Sequence, residues 1–206
     1  MEPATGPHID EVIAFWFGTV EVPPPAIVAR WYAKDAAFDA EIRNRFGDLH
    51  AAAEHGELSD WRGSARGDLA LLVVLDQFSR NLFRDDARAF QHDAAALAVA
   101  RELLRSNRSR ALTYHQRVVA LLPFQHAEDR AVQADGVAAY EALAAEARAA
   151  NAPAAVVSVI ENSLDYAKRH QVIVERFGRF PHRNAVLGRD STPEELAFLQ
   201  EPGSSF

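Results

Sequence analysis

Five polar side chains directly follow the most apolar run of the sequence. The run, Leu69 to Leu75, is apolar throughout, and the polar residues after it are Asp76, Gln77, Arg80, Asn81 and Arg84. On a helix these five side chains fall within an arc of about 140°. A carboxylate beside guanidiniums can orient their N–H groups toward the carboxylate or phosphate of a ligand, so this helix end is a candidate anion-binding surface. The alternatives are that Asp76 and Arg80 form a salt bridge that ties helices together and that the amides cap neighbouring helix ends.

A basic stretch near the C-terminus supplies a second set of candidate ligand-binding residues. Residues 168–189 include six basic residues and one acidic residue, in a chain whose net charge is −7. This local charge suits a small anion, whereas the overall charge argues against a nucleic-acid partner. The candidates that contribute guanidinium or amide groups are Arg176, Arg179, Arg183 and Asn184. A solvated basic turn is the alternative for the loop that carries Arg179, Arg183 and Asn184.

Three histidines are candidates for acid–base chemistry, because imidazole titrates near neutral pH. His126 follows a break in the helical pattern at Pro123, which lacks a backbone donor. His170 lies on the apolar face of a helix, and His182 lies in a loop bounded by glycine and proline. The catalytic candidates are therefore His126, Asp129, His170 and His182, with no reaction assigned, and Gln125 is a further candidate for ligand binding. A hydrogen-bonded structural role is the alternative for each of these side chains.

Other kinds of chemistry have no local support in the sequence. There are no cysteines, so thiolate metal sites and disulfides are excluded. Neither an HxxxH nor an HExxH spacing occurs, and we predict no metal and no cofactor. Ser79 and Ser163 do not lie in a GxSxG turn of the kind that presents a serine nucleophile, which argues against an esterase.

The spacing of apolar residues is helical along the chain, without the alternation that is typical of strands. Asp68 is placed to cap the helix of the apolar run, and Thr192 begins a capping box at the last helix. Residues 154–177 form a long amphipathic segment, which Gly178 is placed to end. The pattern predicts an all-α protein with about eight or nine helices in a single domain, residues 1–206.

Five segments of the sequence resemble one family. They are IDEVIAFWFG, RWYAKDAAFD with RFGDLHAAA, LDQFSRNLFR, LLPFQHAED and RHQVIVERFGRFPHRNAVLGRDSTPEELAFL. Together they resemble the bacterial proteins of domain-of-unknown-function family 924. The resemblance implies an all-helical, tetratricopeptide-like fold, a right-handed helical array without a strict repeat, and no established activity. The chain departs from the family pattern at Ser79 and Ala127, where we expect proline and serine.

Three hypotheses for function remain open at this point. The candidate residues could converge on a small anionic ligand, with or without catalysis, and we favour this reading. They could instead lie on an open face that binds a protein or peptide, or form a purely structural polar network. No apolar run is long enough to cross a bilayer, and the first residues lack a signal-peptide pattern, so we expect a soluble, cytoplasmic protein without a membrane partner.

Overall fold

The computed structural model describes residues 5–19 and 23–204, and every regular element in this part of the chain is helical. The α-helices are α1 (Thr5–Phe17), α2 (Pro25–Tyr32), α3 (Ala36–Glu54), α4 (Ala65–Leu72), α5 (Ser79–Leu82), α6 (Asp93–Arg105), α7 (Tyr114–Ala120), α8 (Leu122–His126), α9 (Arg130–Ala149), α10 (Ala154–Phe177) and α11 (Pro193–Phe198). A π-helical segment joins α4 to α5, and α7 and α8 are two limbs of one kinked helix. Counted in this way, the described residues contain nine helices, which confirms the predicted all-α fold.

The apolar run of the sequence lies at the centre of the fold. Leu69 to Leu75 are all buried, as are the residues of the π-helical segment, Val73–Phe78. Phe78 stacks on Phe46 of α3, with ring centroids 4.9 Å apart, so the segment is enclosed by apolar side chains of its neighbours. The π turn was not predicted, because apolar spacing does not distinguish it from an α-helix.

The prediction that Asp68 is the N-cap of this helix is wrong. Ser64 is the N-cap, and its side chain accepts a hydrogen bond from the Gly67 amide at 3.0 Å. Asp68 instead lies inside α4, fully buried, where it accepts hydrogen bonds from Arg62 at 3.0 Å and from Arg108 at 2.7 Å. A buried carboxylate needs such partners, and the sequence around it gives no sign that two distant arginines supply them.

Two other predicted helix ends are confirmed. Gly178 ends α10 with a φ of 72°, in the left-handed region that favours glycine. Thr192 and Glu195 form the capping box that begins α11. The break near Pro123 is also present: α7 ends at Ala120, and α8 begins at Leu122 with the proline in its first turn.

The position of α8 depends on a glycine in α9. A Cβ atom at Gly136 would lie 2.7 Å from Cβ of Phe124, closer than carbon atoms can approach without displacement. The absence of a side chain at Gly136 therefore lets α8 pack directly against the backbone of α9. His126 ends α8 two residues after Phe124, so this close contact also sets the position of the imidazole.

No helix in the described ranges is both long enough and apolar enough to span a membrane.

Candidate functional site

The central pair of the site is a carboxylate and an imidazole from two helices. Asp76 lies in the π-helical segment and His126 at the end of α8, and Nδ1 of His126 is 2.7 Å from Oδ1 of Asp76. The same oxygen is 3.1 Å from Nη1 of Arg80, and Gln77 donates a hydrogen bond to the other oxygen. The three partners of the Asp76 carboxylate therefore come from a single short stretch of the central helix and from α8.

The carboxyl group of Asp76 is ionised despite its burial. Burial by itself would raise the pKa of Asp76, but the charge of Arg80 and the hydrogen bonds from His126 and Gln77 hold that pKa well below its usual range. An ionised carboxylate can only accept hydrogen bonds, so Nδ1 of His126 is the nitrogen that carries a proton. The tautomer of His126 is thus set by Asp76.

The other nitrogen of His126 is the chemically available one. Nε2 has no hydrogen-bond partner among the described residues, and the side chain is 14% exposed. Burial and then the positive charge of Arg80 lower the pKa of His126, while Asp76 opposes the shift. The imidazole is therefore neutral near pH 7, with a lone pair on Nε2 that can accept a proton.

Two guanidiniums lie beside this pair and share one carboxylate. Nη2 of Arg80 is 3.0 Å and 3.2 Å from the two carboxylate oxygens of Asp93, the first residue of α6. Nη1 of Arg183 is 3.3 Å from Oδ2 of Asp93 and donates a hydrogen bond of 3.0 Å to the backbone oxygen of His126. The arginines of the central helix and of the C-terminal loop are thus adjacent, and both contact an internal anion.

Arg183 is held between two aromatic rings. Its guanidinium carbon is 4.5 Å from the ring centroid of Phe90 and 4.6 Å from that of Phe180. The residue is 6% exposed, and its Nε is buried without a hydrogen-bond partner among the described residues. Burial and the charge of Arg80 lower the pKa of Arg183 to about 10, which leaves it protonated near neutral pH. The site therefore contains two fixed cations.

Two further candidate histidines pack against Phe180, one of the rings that hold Arg183. The ring centroid of His170 is 6.5 Å from that of His126, and Nδ1 of His170 is 2.8 Å from the backbone oxygen of Tyr166. His182 packs on Phe180, with ring centroids 5.6 Å apart. Burial lowers the pKa of His170 to about 3 and that of His182 to about 4, so both rings are neutral walls rather than cations.

Four other candidates contact carboxylates outside this group. Asn81 and Arg84 each contact Oδ1 of Asp39 in α3 at 2.8 Å. Arg179 and Asn184 contact Oε2 of Glu195 at 2.8 Å and 3.3 Å. These carboxylates were missed by the sequence argument, because no local pattern links them to arginines that are far away in the chain.

Of the last three candidates, two have local roles and the third is a buried amide. The Asp129 carboxylate caps α9 by accepting a hydrogen bond of 2.9 Å from the Val132 amide. Arg176 pairs with Glu194 at 2.9 Å on the protein surface. Gln125 is buried, with its side-chain nitrogen lacking a hydrogen-bond partner among the described residues. The expectation that all the candidates meet in one cluster was therefore too broad.

A buried serine and histidine form a separate network behind the site. Oγ of Ser79 donates a hydrogen bond of 2.7 Å to the backbone oxygen of Leu75 and lies 2.8 Å from Nε2 of His50. Since the hydroxyl proton is committed to Leu75, His50 must donate to Ser79 and cannot act as its base. Nδ1 of His50 is 3.7 Å from Glu54, and Ser79 is fully buried. The order Ser–His–Glu is present, but the direction of the hydrogen bonds does not suit a nucleophile.

Solvent reaches three of the four central side chains of the site. The side chains of Arg80, Asp93 and His126 are 22%, 16% and 14% exposed, whereas that of Asp76 is 2% exposed. Two surface depressions share no lining residue with the site, one of about 640 Å³ along α6 and one of about 230 Å³ at the start of α7. Among the described residues, no three His, Asp or Glu side chains are arranged to hold a metal ion.

Comparisons with known proteins cover almost the whole chain. A family described as "Bacterial protein of unknown function (DUF924)" matches residues 12–203. The structure is similar to that of the protein of unknown function ATU0120 from Agrobacterium tumefaciens, with 37% sequence identity and a TM-score of 0.80. The similarity covers 95% of this chain and 98% of that one. No curated protein matches the sequence.

Proposed function

The chain belongs to the bacterial family of unknown function DUF924, and from that premise we propose that it binds a small anionic molecule beside His126 and exchanges a proton with it. The observation that carries the proposal is the state of His126. Asp76 fixes a proton on Nδ1, and Nε2 has no partner among the described residues. An imidazole oriented by a carboxylate and left open at its other nitrogen is suited to general acid–base chemistry.

The guanidiniums of Arg80 and Arg183 give the site its preference for an anion. Both are fixed by their contacts with Asp93, and a guanidinium presents several donors in a plane that matches a carboxylate or phosphate. The charges of Arg80 and Arg183 are balanced by those of Asp76 and Asp93. A ligand is therefore attracted through hydrogen-bond geometry at the rim more than through excess positive charge.

The two alternative functions receive less support from the contacts. A tetratricopeptide-like module that binds peptides, which the family resemblance implies, needs its recognition residues on an open face. Here Asp76 and Arg183 are 2% and 6% exposed, which favours a small ligand at the rim. A purely structural network would pair its polar atoms, yet Nε of Arg183 is buried without a partner among the described residues. The proposal retains the expectation of a cytoplasmic protein without nucleic-acid partners.

The proposal is tested by a thermal-shift screen with phosphates, sulfate and mono-, di- and tricarboxylates. A ligand at about 100 times its dissociation constant should add about 2.7 kcal/mol to the free energy of unfolding of the wild type. Arg80→Lys and Arg183→Lys keep the charge but remove the planar donors, so their response should be smaller. Arg84→Lys is the matched control, because Arg84 contacts Asp39 outside the site and its variant should respond like the wild type.

The role of the imidazole needs a separate measurement. In protein with ¹⁵N-labelled histidine, the ligand that stabilises the wild type should shift the Nε2 signal of His126 more than its Nδ1 signal. His126→Gln should retain part of the binding and lose the proton exchange with the ligand. If no anion in the panel stabilises the wild type, or if the Arg80 and Arg183 variants respond like the Arg84 control, the anion site does not exist.

A further inference from the structure

We propose a second binding site, in the pocket between the start of α7 and the α9–α10 turn, for a small uncharged molecule that hydrogen-bonds to His115. This pocket shares no lining residue with the His126 site and does not depend on the function proposed for it. The ligand class is an apolar or aromatic body that carries one hydroxyl or N–H group.

The first observation is a buried imidazole without a partner. His115 is the second residue of α7 and is 4% exposed. Neither of its ring nitrogens has a hydrogen-bond partner among the described residues, and neither is sealed inside the protein. Buried polar groups are normally hydrogen-bonded, so a ring of this kind at a pocket wall indicates a place for a hydrogen-bonding molecule.

The second observation is the pocket itself. It has a volume of about 230 Å³, and its lining residues besides His115 are Thr113, Tyr114, Ala150, Ala152, Pro153 and Val156. Since a water molecule takes up about 30 Å³, the space corresponds to roughly eight waters, or to a molecule of about the size of a substituted benzene. The walls are mostly apolar, which favours replacing those waters by an apolar body.

The charges around the pocket select an uncharged ligand. None of the lining residues carries a permanent charge. The nearby Arg117 is paired with Glu146, with Nη2 2.9 Å from Oε2, so this ion pair is closed on itself. Burial lowers the pKa of His115, which leaves a neutral ring with one donor and one acceptor near pH 7. A hydroxyl group, which can both donate and accept, matches that ring.

Phenol is the probe for this site, and toluene is its apolar counterpart of nearly the same shape. In full-length protein with ¹⁵N-labelled histidine, phenol should shift the His115 ring signals in a saturable way. His115→Phe keeps an aromatic ring and removes both nitrogens, so phenol affinity should fall about fivefold to tenfold, as expected for one hydrogen bond. Toluene affinity should change little in the same variant.

A second variant keeps the test decisive if His115→Phe does not fold. Ala152→Leu narrows the pocket and should abolish the phenol-induced shifts of His115. Ala94→Leu makes the same change in the depression along α6 and should leave those shifts unchanged. The proposal is overturned if phenol and toluene bind with equal affinity and His115→Phe changes neither affinity. The pocket would then bind apolar molecules without a hydrogen bond to His115. It is also overturned if saturating phenol leaves the His115 signals in place.

Discussion

Asp76 and His126 are 50 positions apart in the chain, yet Oδ1 of the first is 2.7 Å from Nδ1 of the second. Asp76→Asn keeps the shape of this contact and removes its charge. The variant leaves the largely buried Arg80 with one carboxylate fewer, so the free energy of unfolding should fall by about 3 kcal/mol. The pKa of His126 should fall further, because the Asp76 carboxylate favours the protonated ring. Urea unfolding and histidine NMR titration measure the two effects.

The control for Asp76→Asn is the same substitution in an exposed ion pair. Asp165 and Arg169 pair on α10 with side chains that are 58% and 59% exposed. Asp165→Asn should change the free energy of unfolding by less than about 0.5 kcal/mol. A similarly small change at Asp76 would mean that the buried pair contributes no more than a surface one.

Buried neutral histidines should make the protein less stable in mild acid. The pKa is about 3 for His170 and about 4 for His182, both because of burial, whereas an unfolded histidine has a pKa of about 6.5. As the pH falls below about 6.5, the unfolded state binds more protons than the folded state, so stability decreases. The expected slope is about 1.4 kcal/mol per pH unit for each such group.

Urea unfolding between about pH 7 and about pH 5 measures this slope, above the range in which most carboxylates take up protons. His170→Phe should flatten the dependence, because the variant has no imidazole to protonate. His55→Phe removes an exposed histidine at the end of α3 and serves as the control, with the wild-type slope. The interpretation fails if stability is independent of pH over this interval or if the two variants behave alike.

The apolar run should dominate the stability of the fold. Leu72 and Leu75 are 1% and 5% exposed, so Leu72→Ala and Leu75→Ala should each lower the free energy of unfolding by about 2–5 kcal/mol. Val172→Ala, at a residue that is 61% exposed, is the control and should cost much less. The same denaturation curves should show one cooperative transition if residues 1–206 form the single domain that we expect. Losses below about 0.5 kcal/mol at both leucines would contradict the central position of this helix.

Two helical glycines should respond in opposite ways to the same substitution. At Gly136 the new Cβ would lie 2.7 Å from Cβ of Phe124, so Gly136→Ala should destabilise the protein by about 1–3 kcal/mol and displace α8. At Gly47 in α3 nothing lies within 4 Å of the new atom, and Gly47→Ala should stabilise by about 0.5–1 kcal/mol through helix propensity. Thermal unfolding of both variants tests these two predictions. If Gly47→Ala destabilises the protein, the space around the new Cβ atom does not by itself decide the effect of the substitution.

Local signals were sufficient to predict the class of the fold. The helical spacing, the Thr192 capping box and the left-handed end at Gly178 each depend on residues that are close together in sequence. The π turn at Val73–Phe78 was missed, because it adds a residue to the turn without changing the apolar pattern. Across that segment, a projection at 100° per residue no longer describes which side chains share a face. Arg84 also lies beyond the end of α5 at Leu82, so it does not share the face of Asp76 and Arg80, and it contacts Asp39.

The partner of each charged side chain in the site could not be predicted from the sequence. Asp93 begins an alanine-rich helix, and nothing near it indicates that it contacts Arg80 and Arg183, which lie 13 and 90 positions away. Long-range pairing is decided by how helices pack, which depends on many small contacts at once. The sequence indicated that Asp76, Arg80, His126 and Arg183 are chemically suited to one site and could lie near one another. It did not indicate which carboxylates pair with the two arginines.

Asp93 has one more consequence, for how tightly the site can hold any free anion. The Asp93 carboxylate already contacts the guanidiniums of Arg80 and Arg183. It therefore competes with any free anion for these donors, as an intramolecular ligand. Its effective concentration is on the order of millimolar or higher, and an incoming anion must displace it. The apparent affinity is then the intrinsic affinity multiplied by the fraction of molecules in which Asp93 has swung aside. For a simple anion such as formate, the cost of displacing Asp93 lowers the affinity without compensation. A molecule that also hydrogen-bonds to Nε2 of His126 gains a contact for which Asp93 does not compete.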